Sequence, residues 1–352
     1  MGWPMSEAVA AHLPLIASVV LCAFVIALGV VRAAIAYAHR RGLFDQPGQR
    51  RSHTIATPRG GGIGIVVAVL LTMPVCLLNA PSVWPLHIVI TLLIAVAMIA
   101  LIGWWDDHSS LPVLPRLGVQ ILAVALFALA LFDGGASWLW LPLWIVGGAW
   151  SVNLHNFMDG IDGLLAQQGL FVACGLAALG WAAGQPAFAA ASACVAAACL
   201  GFWCYNRSPA RIFMGDVGSG SIGLLLFALT AMLWHLNWPL VWPALILSSA
   251  FVTDASLTLL VRMLGGRRWY TAHREHLYQW IVRRGHTHAV SAACYLGWNL
   301  LMAAPLAVWA FEKPRMGLLA CIVTYAVAAV VWLGAKRRLI GRDRYKVRYD
   351  HT

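Results

Sequence analysis

The sequence predicts an all-α, polytopic integral membrane protein with about eleven transmembrane helices, and three observations carry that expectation. Of its 352 residues, 61% are hydrophobic and 11% charged, whereas soluble domains run nearer a quarter charged. The mean hydropathy is +0.77. The apolar residues gather into runs approaching the roughly 20 needed to span a bilayer, and the positive charges fall almost entirely on alternate connections between those runs.

In chain order the predicted spans are 13–38, 61–80, 86–105, 117–132, 138–153, 164–183, 187–204, 220–236, 240–262, 289–311 and 316–335. The first is too long for a signal peptide, lacks a basic leading region and is followed by arginines, so it is expected to stay as a membrane helix. The second opens on GGGIG (Gly60 to Gly64). No strand or βαβ unit frames these glycines, so they read as close helix packing and not as a dinucleotide loop. The third ends at Asp106-Asp107. The fifth and sixth are separated by a polar break, SVNLHNFMDGIDG, and the eighth follows FMGDVGSGS. The ninth contains a lone acid, Asp254, about two turns from Arg262. Eight cysteines sit in or at the ends of spans with no CxxC or metal-like spacing, so they read as small packing residues.

Orientation follows from charge. With the N-terminus outside, only Lys313 and Arg315 of the 24 lysines and arginines lie on the outer side. The positive-inside rule therefore puts the N-terminus outside and the C-terminal tail in the cytoplasm, as expected for a multi-pass protein of the bacterial inner membrane. The net charge of +11 describes one face and suits anionic lipid and phosphate-rich substrates. Nothing in it calls for nucleic acid. The chain reads as a single membrane domain, 1–352, without a soluble domain, linker or repeat. Its small-residue spans would permit a homodimer.

Five inner connections hold the chemically capable residues. Asp106, Asp107, Asp159, Asp162 and Asp216 all lie at span ends on the same side. Converging carboxylates repel unless a cation sits among them, and hard oxygen ligands point to Mg2+ or Mn2+. Because Mg2+ usually takes few protein oxygens and completes its shell with phosphate and water, a phosphorylated substrate is expected. Gly215, Gly218 and Gly220 around Asp216 would let backbone approach a phosphate at a helix start. His273 and His276, three apart, are expected one helical turn apart on one face, beside Arg267, Arg268 and Arg274, where they could bind a diphosphate.

Taken together these pieces resemble the polyprenyl-phosphate N-acetylhexosamine-1-phosphate transferases, among them the MraY, WecA and WbpL-type enzymes and the eukaryotic dolichol-phosphate GlcNAc-1-phosphate transferase. The motifs that carry the likeness are D-x-P-x-x-R-x-x-H (Asp45 to His53) with PRGGG, the Asp106-Asp107 pair, N-x-x-N-x-x-D-G-x-D-G (Asn153 to Gly163), N-x-x-P-A-x-x-F-M-G-D-x-G-S (Asn206 to Ser219) and the last-loop histidines. The resemblance implies transfer of a sugar-1-phosphate from a UDP-N-acetylhexosamine to undecaprenyl phosphate, with release of UMP. It implies Asp216 as principal Mg2+ ligand with Asn156 as a second, and Asp106 and Asp107 as positioning groups for the lipid phosphate, one of them a candidate base. It further implies Asp159 as an acid without an assigned role, and His273 and His276 as catalytic-loop residues. On the substrate side it implies Arg116 as a phosphate contact, Phe213 stacking on uracil, Asp162 on the uracil edge, and Asn206 on the nucleotide. Asn153, Arg50 and His53 join the substrate-binding set as matched motif positions. MraY carries three consecutive histidines where this chain has His273-Arg274-Glu275-His276. The AHREHLYQ form looks more like the WbpL group, whose donors include UDP-FucNAc and UDP-QuiNAc.

Two other classes compete. A transporter would place its polar site near the bilayer midplane, often in repeated halves, whereas these acids gather at one face. A CDP-alcohol phosphotransferase would need D-x-x-D-G-x-x-A-R, and here Gln167 stands at the arginine position and the second half of that pattern is absent.

Overall fold

The computed structural model describes residues 7–45, 56–132, 136–267 and 273–349. It is helical throughout, apart from one two-stranded ladder. The elements are α1 (Glu7–Arg41), β1 (Phe44–Asp45), β2 (Thr57–Pro58), α2 (Ile63–Leu77), α3 (Leu86–His108), α4 (Val113–Leu131), α5 (Leu141–Phe157), α6 (Leu164–Ala182), α7 (Pro186–Asn206), α8 (Asp216–Leu236), α9 (Val241–Leu247), α10 (Ser249–Leu264), α11 (Leu277–Arg283), α12 (His288–Trp298), α13 (Ala304–Glu312) and α14 (Gly317–Tyr349).

Each predicted span falls on helix. Among the described residues, eight helices are long and apolar enough to cross a bilayer, and α9 with α10 makes a ninth crossing if the bent pair counts as one. Helix α2 has 15 residues and α5 has 17, both short of the roughly 20 that a full crossing takes. The shortness of α2 has a local cause. Gly61 and Gly62 donate their N–H groups to the carbonyls of Phe213 (3.0 Å) and Met214 (2.8 Å), so this backbone pairs with another loop instead of joining the helix. Close approach is also why the glycines are there: a Cβ on Gly62 would sit 2.2 Å from the Gly218 Cα.

The ninth predicted span is broken. Helices α9 and α10 meet at 73° across Ser248, so α9 packs on α13 while α10 runs between α5 and α14. The tenth span contains a π-helical turn, Asn299–Ala303, between α12 and α13.

Helix α8 is the axis of the bundle, with 94% of its apolar window buried against α3, α5 and their neighbours. The outer helices show the opposite pattern. Leu21 and Val25 on α1, Leu101 on α3, Leu122 on α4 and Val330 on α14 are exposed, as expected of side chains that face hydrocarbon. The fold is thus an all-α, multi-pass membrane bundle, and the N-terminal end of its central helix carries Asp216.

Candidate active site

A cleft of about 230 Å³ opens at that end of α8. It is lined by Asp45, Arg59, Asp107, Asp159, Gly160, Ile161, Asp162, Asn206, Phe213, Gly215, Asp216, Arg274, Gln279 and His288. Helix ends and short loops supply this lining because only there can charged groups reach water while their backbones remain anchored in hydrocarbon.

The α3–α8 contact sets the geometry. The Asp107 carboxylate, 5% exposed, accepts the backbone N–H groups of Asp216 (3.1 Å) and Val217 (3.2 Å). It thereby caps α8 from a neighbouring helix, which satisfies the unpaired donors and opposes the positive end of the helix dipole. A second close approach supports the same crossing: a Cβ on Gly103 would lie 2.5 Å from the Asp216 carbonyl oxygen. Gly215, with φ of +76°, makes the turn into α8 directly against the Asp107 carboxylate. The expected phosphate cradle therefore differs in detail. Gly218 and Gly220 are buried in helix packing against Gly62 and Ile99, and of the three glycines Gly215 lines the cleft.

Asp106 points the other way. Its Oδ1 accepts the Leu111 N–H at 2.6 Å and its Oδ2 pairs with Arg116. The Arg116 Nη1 also reaches Asp216 Oδ2 at 2.9 Å, so one guanidinium bridges two carboxylates from α3 and α8. The Asp106 carboxylate and the Asn156 amide both neighbour the Asp216 carboxylate. Asn156 further donates to Ser219 Oγ at 3.0 Å. Paired carboxylates with an amide beside them fit a hard divalent cation such as Mg2+. Among the described residues, no group of three or more His, Cys, Asp or Glu side chains is placed to hold a metal alone. A cation here would draw the rest of its shell from phosphate and water.

Asp159 and Asp162 sit on the loop between α5 and α6, outside the helices. Burial, helped by the Asp216 and Asp107 carboxylates, pushes the Asp159 carboxyl up to about 8. Burial also opposes charge on Asp162, but His288 beside it, the Ala210 N–H and the Ser208 hydroxyl outweigh that, and its carboxyl stays below the ordinary range. Asn206, 3% exposed, ties two loops together: its Oδ1 accepts the Gly163 N–H (3.0 Å) and its Nδ2 donates to the Ile212 carbonyl (2.9 Å). Phe213 is held on the cleft wall through its backbone, which pairs with Pro58 and Gly61.

Asn153 does not reach the cleft lining. Its amide donates to Gln120 Oε1 (2.7 Å) and the Ala149 carbonyl (2.8 Å), fastening α5 to α4. The expectation that His273 and His276 share a helical face is corrected. Residues 273–275 are not helical, and His276 is the N-cap of α11. The cause is Asp254, whose carboxylate accepts the Leu277 N–H at 2.8 and 3.1 Å and starts the helix there. The two imidazoles still meet, with ring centroids 4.9 Å apart, but neither lines the cleft; Arg274 between them does. Arg50 and His53 lie outside the described residues. His288 carries no sequence signal, because no spacing pattern marks a polar residue in an already polar loop, and Gln279 stands in the quoted AHREHLYQ without a role. Asp45 and Arg59 stood in quoted motifs without a role. Arg59 donates to the Asp107 carbonyl.

A membrane bundle that gathers carboxylates and an aromatic wall into one cleft at a helix end, with an arginine bridging one of those acids to a neighbour, has the build of a phosphate-transfer enzyme. Comparison with known proteins places it further. The family model described as "Glycosyl transferase family 4" matches residues 89–234, a stretch that runs from α3 to α8. The decaprenyl-phosphate N-acetylglucosaminephosphotransferase of Mycobacterium tuberculosis is 30% identical over 346 residues, covering 84% of this chain and 83% of that protein. The probable undecaprenyl-phosphate N-acetylglucosaminyl 1-phosphate transferase of Bacillus subtilis is 27% identical, over 71% and 72% of the two chains. The phospho-N-acetylmuramoyl-pentapeptide-transferase of Halalkalibacterium halodurans is 30% identical over 50% of this chain and 61% of its own. The chain belongs to glycosyl transferase family 4 and is a phosphoglycosyl transferase.

Proposed function

We propose that this chain transfers an N-acetylhexosamine-1-phosphate from a UDP-linked donor to undecaprenyl phosphate. The reaction is Mg2+-dependent, releases UMP and starts lipid-linked O-antigen or related surface-polysaccharide synthesis. The observation that carries the reading is the Asp106–Arg116–Asp216 bridge, which ends on the cleft-lining Asp216.

A phosphate monoester has a second pKa of about 6, so the lipid phosphate arrives largely deprotonated at neutral pH. Its oxygen attacks the sugar-bearing phosphorus of the donor, and the bond from that phosphorus to the bridging oxygen breaks, leaving UMP. Proton removal is then a minor demand, and positioning and charge control dominate. Asp216 and Asn156 would hold the cation, which when bound neutralises charge developing on the diphosphate. Arg116 keeps Asp106 and Asp216 together and offers a guanidinium to phosphate. Asp159 lines the same cleft, where a bound cation would offset the Asp216 and Asp107 repulsion that helps raise its carboxyl. Phe213 offers a face to the base and Asp162 an acceptor to its edge.

The positive charges support an active site on the cytoplasmic face of the inner membrane, with the N-terminus outside. For the donor, His273-Arg274-Glu275-His276 supports a UDP-N-acetylhexosamine of the FucNAc, QuiNAc or GlcNAc type, and the two longest-covering relatives above are named for N-acetylglucosamine. The test is a panel of labelled UDP-sugars with undecaprenyl phosphate and Mg2+. It should give UMP and a lipid-linked sugar diphosphate, and Asp216→Asn should lose turnover while staying folded. Full activity after chelation, or in that variant, would sink the mechanism.

A further inference from the structure

His288 is the first residue of α12, a helix whose start is fixed by Thr287, its hydroxyl accepting the Val290 N–H at 3.2 Å. Its Nδ1 lies 3.2 Å from Asp162 Oδ1 and 3.4 Å from the Asp162 backbone N–H, and the two side chains are 13% and 11% exposed. The Asp162 Oδ2 accepts the Ala210 N–H, also at 3.2 Å. The carboxylate is therefore gripped from two sides, by the loop before α8 and by the start of α12. Both residues line the cleft. A carboxylate has about four acceptor sites, so capacity remains for a donor arriving from the cleft.

We propose that His288 is a positioning residue for donor recognition, holding Asp162 as a fixed acceptor that selects the imide N–H of a uracil base. Uracil presents N3–H as a donor. Cytosine presents a bare N3 acceptor, which would face the carboxylate lone pairs without a proton between them. A site built to receive a hydrogen bond rejects an analogue that lacks the donor, because its own buried group is left unpaired. The discrimination depends on the carboxylate keeping its orientation, and His288 holds that without touching the base. The inference rests on the reading of Asp162 as the acid that meets the base.

The test uses the full chain in detergent with Mg2+, and measures binding of UMP and CMP, which is independent of the donor sugar. His288→Ala should weaken UMP binding about tenfold, as expected for losing a hydrogen bond to a charged group, and leave CMP binding within about twofold. In turnover the donor KM should rise by a similar factor with kcat nearly unchanged. His288→Asn, whose amide nitrogen stands where Nδ1 stood, should restore UMP preference to within about threefold. The Asp162→Asn/His288→Ala double variant should be no worse than Asp162→Asn alone, since the two act as one unit. Additive losses, or a His288→Ala variant that keeps its UMP preference, would overturn the proposal. If Asp162→Asn itself leaves UMP binding unchanged, the reading of Asp162 fails first, and that outcome is separately visible. Should His288→Ala not fold, His288→Asn against His288→Gln carries the comparison: the longer amide should misplace the donor and lose the preference.

Discussion

The side chain of Asp107 holds the backbone of Asp216: the Asp107 carboxylate receives the Asp216 N–H at 3.1 Å and the next N–H, of Val217, at 3.2 Å. The first acid therefore sets where the second one stands. Asp107→Ala should cost about 1–2 kcal/mol of stability, as for loss of a helix cap. It should also lower turnover by about a hundredfold, because a displacement near 1 Å is enough for that. Asp107→Asn, which keeps one acceptor oxygen, should fall between. Melting in detergent and initial rates measure the two effects separately.

Gly103→Ala tests the same crossing from the other helix. Its new methyl would meet the Asp216 carbonyl oxygen at 2.5 Å and the Val217 nitrogen at 2.6 Å, and backbone cannot turn aside as a flexible side chain can. Overpacking of this kind typically costs about 1–3 kcal/mol. A variant that melts and turns over like the parent would show that α3 and α8 are not in this contact.

Asp254 ties four elements together. Beyond the Leu277 N–H it accepts the Thr258 hydroxyl (3.1 Å), the Tyr295 hydroxyl (2.6 Å) and the Trp332 indole N–H (2.8 Å). Asp254→Asn sets amide hydrogens against some of these donors and should destabilise by about 2–3 kcal/mol. Hydrogen exchange should quicken in residues 276–283, where α11 loses its start.

The last-loop histidines should make the fold acid-labile. Burial, then the positive charges of His276, Arg262, Lys336 and Arg267, bring His273 down to about 4, against about 6.5 in an unfolded chain. Between those values the unfolded state binds more protons, so stability rises with pH and is lost as pH falls from about 6.5 towards 4. His276, lowered chiefly by burial, acts in the same direction. Asp159, with its raised carboxyl, acts oppositely over part of the range. The informative quantity is therefore the difference between the parent and His273→Gln. The variant should show a shallower decline in melting temperature below pH 6.5, and equal slopes would refute the assignment.

Much of this was legible beforehand, for physical reasons that differ between elements. Spans such as 86–105 and 220–236 announce themselves by composition, because hydrocarbon tolerates little else. The convergence of Asp106, Asp162 and Asp216 followed from alternating topology alone. What topology could not convey is which oxygen meets which donor. Asp107 was read as a group for the lipid phosphate, and its carboxylate turns out to be engaged by the α8 N–H groups. Spacing suggested a helical turn from His273 to His276, but a carboxylate on a distant helix sets where α11 begins. The break at Ser248 also had no local signal strong enough to interrupt an apolar run.

The burial of α8 separates the two jobs of such an enzyme. Its N-terminal end, holding Asp216, is locked by α3 and α5, so the reacting centre has little freedom to drift. The wall formed by Arg274, Gln279 and His288 belongs instead to the connection after α10, anchored largely through Asp254. Changes on that wall can accumulate without disturbing the helix crossing beneath it. The rim of the cleft is thus held by one set of contacts and its floor by another.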